Sequence, residues 1–446
     1  MSGMGLDSCS TYICYPVVLY IKKVIYQFTY KLAVLTKPLI TRLLSPGFRQ
    51  RVKRALLKKA YPLEKRPDQS YSNNLEKGVN LLGYSRAEMG IGESCRIAAN
   101  SMDSVGIPFG IINFKGMNSA RMSDLTWSLK EIEEPKYNIN LFHINAEQMM
   151  EVYAQYGNSL FKNRYNIGYW HWELPDFPDE WLESFELVDE IWVPSTFVAD
   201  SIAMKSPVPV VKIPHSIQVN INEVRGREFF GLPDGVFLFL SMYDVKSYQE
   251  RKNPKASIKA FKKAFKPEDS SVGLVLKVNS YNSSKTELDE LDELISDHQN
   301  IYLIKDTISR NDINALISII DCFISLHRSE GFGLGLAEAM FLGKPVIGTN
   351  WSSNTDFMNT INSCLVDYHI VQVGKDYGPY KAYQSWADPD LTHAAFFMKK
   401  LVTDTSYYNH IAVKGREYIR TNYSPEEVGQ LIKRRLDYIY KWKFGG

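Results

Sequence analysis

HRSEGFGLGLAEAMFLGKPVIGTNWSSNTDFM (327–358) carries the decisive pattern of the chain. A strand ends near His327 and Glu330 follows it. The turn Gly331-Phe332-Gly333-Leu334-Gly335 then leads into a helix that Gly343 closes, before PVIGTN (345–350) begins another strand. Glycines between a strand and a helix N-terminus let backbone N–H groups approach a diphosphate, and the helix dipole adds to the attraction. Glu338 lies eight residues beyond Glu330, on the helix. One carboxylate thus sits at a strand tip and the other within the helix, which suits two parts of an extended polar ligand.

Working outward, the same strand–helix rhythm fills most of the chain. Short apolar runs occur at 78–84, 108–114, 138–145, 166–172, 190–195 and 208–214, then again at 236–242, 272–278, 300–305, 321–327 and 345–350. Amphipathic stretches such as Glu93 to Val105, closed by Gly106, lie between them. Continuous apolar strands alternating with helices imply parallel sheets covered on both faces. The polar stretch at 218–227 interrupts the rhythm, so the expected class is α/β, with two doubly wound Rossmann-like domains and a hinge near 215–228. Ligands in such sheets sit outside the carboxyl ends of the strands, so the expected site is the cleft between the two. In RKNPKASIKAFKKAF (251–265), Asn253 is a candidate cap and Pro254 a first helical residue, while Ile258, Phe261 and Phe265 form a core stripe.

Glu330 and Glu338 in an E-x7-E spacing, with GFG after the first Glu, AEAM around the second and GKPVI beyond, resemble the signature of family 4 retaining glycosyltransferases of the GT-B fold. The resemblance covers most of residues 77–443. It implies that Glu330 meets the donor sugar hydroxyls, that the backbone of Gly331, Phe332, Gly333 and Leu334 holds the diphosphate, and that Glu338 binds the ribose. Arg251 and Lys252 resemble the family's phosphate-binding basic pair, although here they are adjacent rather than several residues apart. Lys277, ending VGLVLKV, is a third donor-side candidate or else a solvated strand-end lysine. Gly90 and Gly92 in GYSRAEMGIGESCR (83–96) resemble the family's N-terminal glycine loop; a tight structural turn is the alternative.

The run NIGYWHWELPDFPDEW (166–181) sets aromatic residues beside His171 and Glu173 at a strand end. Rings there can stack on sugars while the polar groups bind hydroxyls. With NLFHINAEQMM (140–150) and EIWVPSTFVADSI (190–202), it resembles a bacterial polysaccharide-building subgroup, in which Glu173 is expected to matter more than His171. His143 reads as a satisfied strand-end histidine. The implied reaction moves a hexose from a nucleotide sugar, GDP-mannose as first guess, to a glycan or lipid-linked acceptor in surface polysaccharide synthesis. No metal or other cofactor is expected.

The expected organisation is a basic arm (1–70), an acceptor domain (71–217), a nucleotide-sugar domain (218–420) and a last helix (421–446) crossing back to the first domain. Residues 1–60 carry eleven Lys or Arg against Asp7, a net of +10, which leaves −8 on the remainder of a chain whose overall charge is +2. An acidic body with a basic arm argues against nucleic-acid binding. The uncharged stretch 8–21 is interrupted by Pro16 and falls short of the roughly 20 residues a spanning helix needs, and its positive charge follows rather than precedes it, unlike a signal peptide. Beyond it, aromatic and aliphatic residues interleave with bases, as suits attachment to an anionic membrane surface; the other reading is a helix packed on the body. The expected location is cytoplasmic, on the inner face of the cytoplasmic membrane. Five scattered cysteines without ligand spacing read as reduced thiols. Three rival functions remain: a synthase acting on a soluble sugar phosphate, a phosphorylase-type enzyme, for which no cofactor-lysine context is present, and a silent scaffold, which the intact glutamate pair disfavours.

Overall fold

The computed structural model describes residues 24–30, 32, 46–63, 71–72, 74–116, 120–279 and 285–445. The uncharged stretch at 8–21, and with it Cys9 and Cys14, lies outside them, as does part of the basic arm.

The first sheet has the order β2-β1-β3-β4-β5-β6 and is parallel throughout. Its strands are β1 (Glu76–Gly83), β2 (Phe109–Asn113), β3 (Tyr137–His143), β4 (Tyr165–Tyr169), β5 (Glu190–Val193) and β6 (Val210–Lys212). The second has the order β12-β11-β10-β7-β8-β9, again parallel. It comprises β7 (Phe237–Asp244), β8 (Val272–Asn279), β9 (Ile301–Ile304), β10 (Cys322–Ser325), β11 (Val346–Thr349) and β12 (Cys364–Val366). Every apolar run marked in the sequence is a strand. The interiors of β1, β3, β4, β7 and β8 are buried almost without a break, because helices cover both faces.

Five helices position the site. They are α1 (Pro46–Ala60), α2 (Gly90–Ser104), α3 (Pro254–Ala264), α4 (Leu334–Phe341) and α5 (Pro425–Lys443). In α3, Pro254 takes the first turn and Ile258 and Phe261 are buried. Asn253 does not cap it through its side chain: it adopts a left-handed φ of 52° and donates instead to the Leu326 carbonyl at 3.0 Å. The side chain thereby ties the basic turn 249–252 to the loop after β10.

α5 returns to the first sheet, burying Val428, Ile432, Leu436 and Ile439 against α2 and the strands beneath. A Cβ on Gly429 would lie 2.3 Å from the Ser101 carbonyl, so only glycine permits this approach. The Tyr440 hydroxyl accepts from the Gly78 amide and donates to Asn138, both at 2.9 Å.

Two further elements stand beside the sheets, and only the first is absent from the sequence reading. An antiparallel ribbon, β13 (Tyr368–Gln372) with β14 (Ser385–Pro389), follows the second sheet's edge strand. Its Val373, Tyr380 and Trp386 pack into the first domain's core. The described arm is also docked: Leu57 and Ala60 of α1 are buried, and Lys53 pairs with Glu151 at 2.5 Å. Cys95, Cys322 and Cys364 are free and buried.

Candidate active site

The residues singled out above follow the carboxyl ends of strands from both sheets, where unpaired strand ends and helix N-termini converge. On the C-terminal side, Glu330 follows β10 and is almost fully buried. Lys252 Nζ lies 2.5 Å from its Oε1, and Arg251 Nη1 lies 3.4 Å from Oε2. Burial opposes its charge, but Lys252 and Arg251 outweigh that penalty and hold the carboxyl at about 2. Ser352 accepts from the Glu330 amide at 2.9 Å, fixing the backbone.

The glycine turn behaves as its composition demands. Gly333 has φ +94° at the N-cap of α4, a conformation that costs an L side chain energy. The Phe332 ring is buried beside Phe357 and His215, so its backbone, not its side chain, faces the cleft. Leu334 opens α4, where the first N–H groups have no helical partner.

Glu338 is buried on α4, and Arg310, beyond the end of β9, pairs with both of its carboxylate oxygens. Arg310 also approaches Glu93 of α2 at 3.8 Å, linking the two domains across the cleft. Burial works against the Arg310 charge, but Glu338 and Glu93 hold it on. Lys277 is not a solvated strand-end lysine: it is buried and donates to Asn279 at 2.6 Å. Burial brings its pKa down to about 8, despite Asp244 and Asp306.

On the N-terminal side, Glu173 accepts from the Tyr380 hydroxyl at 3.1 Å, and its Oε1 lies 3.9 Å from Arg251. Its carbonyl accepts from Ser329 Oγ. Arg251 therefore stands between Glu173 of one domain and Glu330 of the other. Gly331 packs here too, its would-be Cβ 3.6 Å from the Glu173 side chain.

His171 has Asn145 Oδ1 at 3.0 Å from its amide and 3.3 Å from Nδ1, and its Nε2 lies 2.9 Å from His215 Nε2. With Nδ1 donating to Asn145, His171 Nε2 accepts from the protonated Nε2 of His215, a tautomer assignment that follows from the network. Burial brings His171 down to about 4 and pushes His215 and His143 well below the usual histidine range. His143 stacks on Tyr169 at 4.3 Å and shares a 3.0 Å hydrogen bond with Ser94, but its Nε2 has no hydrogen-bond partner among the described residues. The expected satisfied histidine is thus satisfied on one nitrogen only.

Of the glycine-loop residues, Gly92 is required by packing, since a Cβ would meet the Ala87 carbonyl at 2.2 Å. Gly90 begins α2 and faces open space. The structure thus gathers Arg251, Lys252, Glu173 and Glu330, and links His171 through His215 to Phe332. Arg310, His215 and Tyr380 escaped the sequence reading: His215 and Tyr380 lie in loops, where periodicity carries no signal, and Arg310 is the first residue of the helix Arg310–Ile319. Among the described residues, no group of three His, Cys, Asp or Glu is placed to hold a metal ion.

Residues 230–360 match the family model described as "Glycosyl transferases group 1". The second sheet therefore carries a glycosyltransferase domain, that of a transferase enzyme. No curated protein matches the sequence. Among the solved structures that share the fold are the following three. Sucrose-phosphate synthase from Thermosynechococcus elongatus aligns with a TM-score of 0.61 at 13% identity, covering 82% of this chain and all of the other. A glycosyltransferase from Rickettsia africae aligns at 0.59 and 14%, covering 82% and 99%. Anabaena HepE in complex with UDP and glucose aligns at 0.58 and 13%, covering 81% and 100%. The architecture is GT-B, with two parallel six-stranded sheets facing one cleft.

Proposed function

We propose that this chain is a retaining glycosyltransferase that moves a hexose from a nucleoside-diphosphate sugar to a glycan or lipid-linked acceptor in surface polysaccharide synthesis. The observation that carries the reading is Glu330, held ionised by Lys252 and Arg251 directly before the glycine turn that opens α4. In this arrangement the N–H groups of the turn and Lys252 neutralise the diphosphate, and Glu330 aligns the sugar through its hydroxyls. Such preorganised groups stabilise charge developing on the departing phosphate. Retention requires attack on the face from which the nucleotide leaves, so the β-phosphate itself accepts the acceptor's proton. Glu173 and the rings around it position the acceptor.

Anabaena HepE has been crystallised with UDP-glucose, which makes UDP sugars the first donors to test and GDP-mannose the second. NMR of the product of a positive donor should show the donor's anomeric configuration kept; inversion would refute the mechanism. Activity should survive EDTA, and a loss restored by manganese or magnesium would overturn a metal-free site.

We also propose attachment to the inner surface of the cytoplasmic membrane. Among the described residues, no helix is long and apolar enough to cross a membrane. The helix at 24–30 turns polar and aromatic groups inward: Gln27 donates to the Ala60 carbonyl at 3.2 Å, and Tyr30 meets Tyr61 edge-on at 6.2 Å. Val24, Ile25 and Phe28 are left exposed, and so are Lys58 and Lys59 of α1, with Lys59 Nζ 5.3 Å from the centre of the Tyr26 ring of the helix at 24–30. Outward apolar residues beside bases match a headgroup-depth contact. Full-length protein should sediment with anionic liposomes and release as salt rises.

A further inference from the structure

α1 does more than lie on the body. Between it and the segments 146–151 and 180–184 is a cavity of about 150 Å³, lined among others by Lys53, Arg54, Glu147 and Trp181. Its edges are closed by ion pairs from α1, Lys53 to Glu151 at 2.5 Å and Lys58 to Glu183 at 3.1 Å. Inside, Arg54 and Glu147 make no hydrogen bond or ion pair among the described residues.

Topology connects this cavity to the reaction centre. Glu147 follows β3 as Glu173 follows β4, and those strands are parallel neighbours, with Phe142 opposite Gly168. The two carboxylates lie close enough to feel each other. Glu147 is reached by solvent yet enclosed by protein; enclosure, then Glu173 and Glu151, push its carboxyl up to about 7 against Lys53 and Arg54. With Glu147, Glu151 and Glu183 around it, the pocket disfavours an anion. A sugar hydroxyl both donates and accepts, and so suits an uncommitted carboxyl facing an uncommitted guanidinium.

We propose that this pocket is an acceptor subsite in which an uncharged pyranose binds between Arg54 of α1 and Glu147, with α1 serving as a wall of the acceptor site. The inference rests on the glycan-acceptor reading above. It ties recognition of the acceptor to the helix against which the proposed membrane-facing segment at 24–30 packs.

The test uses the full-length chain with UDP present. Methyl α-pyranosides of glucose, mannose, galactose and N-acetylglucosamine are titrated by saturation-transfer NMR against wild type, Arg54→Ala, Arg54→Lys and Glu147→Ala. At least one pyranoside should bind wild type and weaken tenfold or more in both alanine variants, with partial recovery in Arg54→Lys. Unchanged thermal melting and UDP affinity in the same samples exclude misfolding as the cause. Equal binding to the variants, or no pyranoside bound by wild type, overturns the subsite. Failure of the transferase reading would show differently, as wild type that binds no nucleotide.

Discussion

The two faces of the cleft solve opposite problems. The C-terminal face is built from ion pairs: Glu330 with Lys252 and Arg251, Glu338 with Arg310. The N-terminal face pairs two neutral histidines and leaves Glu147 without a hydrogen bond or ion pair among the described residues. The first arrangement suits a donor with fixed charge, whose phosphates exchange one set of ion contacts for another. The second suits an uncharged acceptor, recognised by hydroxyl geometry. Arg251 is the hinge between them, since it touches Glu330 and approaches Glu173.

The largest expected effect breaks the charged face. Glu330→Gln should cut transfer by on the order of 10³-fold, as for loss of a preorganised electrostatic contact, while nucleotide affinity changes far less. It should also lower the melting temperature, because removing one partner of a buried ion group costs roughly 3–5 kcal/mol. Wild-type stability with no loss of transfer would show that the carboxylate is idle.

Acid should break the neutral face. His171 titrates near 4 in the fold against 6.5 when free, so between these values the unfolded chain binds more protons. Stability should therefore rise with pH across that window, by on the order of 3 kcal/mol for this residue alone. Denaturant titrations at pH 4.5 and 7 on wild type and His171→Gln measure it. A variant with the full wild-type pH dependence would remove His171 as the cause.

Smaller effects sharpen the comparison. Glu338→Ala should weaken nucleotide binding about tenfold, the scale of one hydrogen bond to a charged group, with less effect on the chemical step than Glu330→Gln. A reversed pattern in calorimetry and turnover would exchange their roles. Tyr380→Phe removes only its hydrogen bond to Glu173. It should cost about 1 kcal/mol, expressed as a higher KM for acceptor; a change confined to donor KM would put the ribbon on the wrong side of the cleft.

The charged face was also the legible one. Glu330, the glycine turn and Glu338 lie within one strand–turn–helix unit, so sequence spacing fixes their relative positions. The eleven apolar strand runs were legible for the same reason, since strands buried on both faces leave no polar alternation to misread. The neutral face is assembled across distance. Tyr380 reaches Glu173 from 207 residues away, Arg54 faces Glu147 from an element assigned to a membrane arm, and His215 meets His171 from 44 residues away. No local pattern encodes such meetings. The described part of the arm matches the second reading of its sequence, a helix packed on the body: Leu57 and Ala60 are buried.

Calorimetry reads directly whether a nucleoside diphosphate is held on the C-terminal glycine turn with Lys252 beside it. Uridine and UDP, and guanosine and GDP, are titrated into wild type and Lys252→Ala. The diphosphate should lose tenfold or more in affinity while its nucleoside is nearly unaffected. Equal losses for both, or no binding of either diphosphate to wild type, would contradict the account.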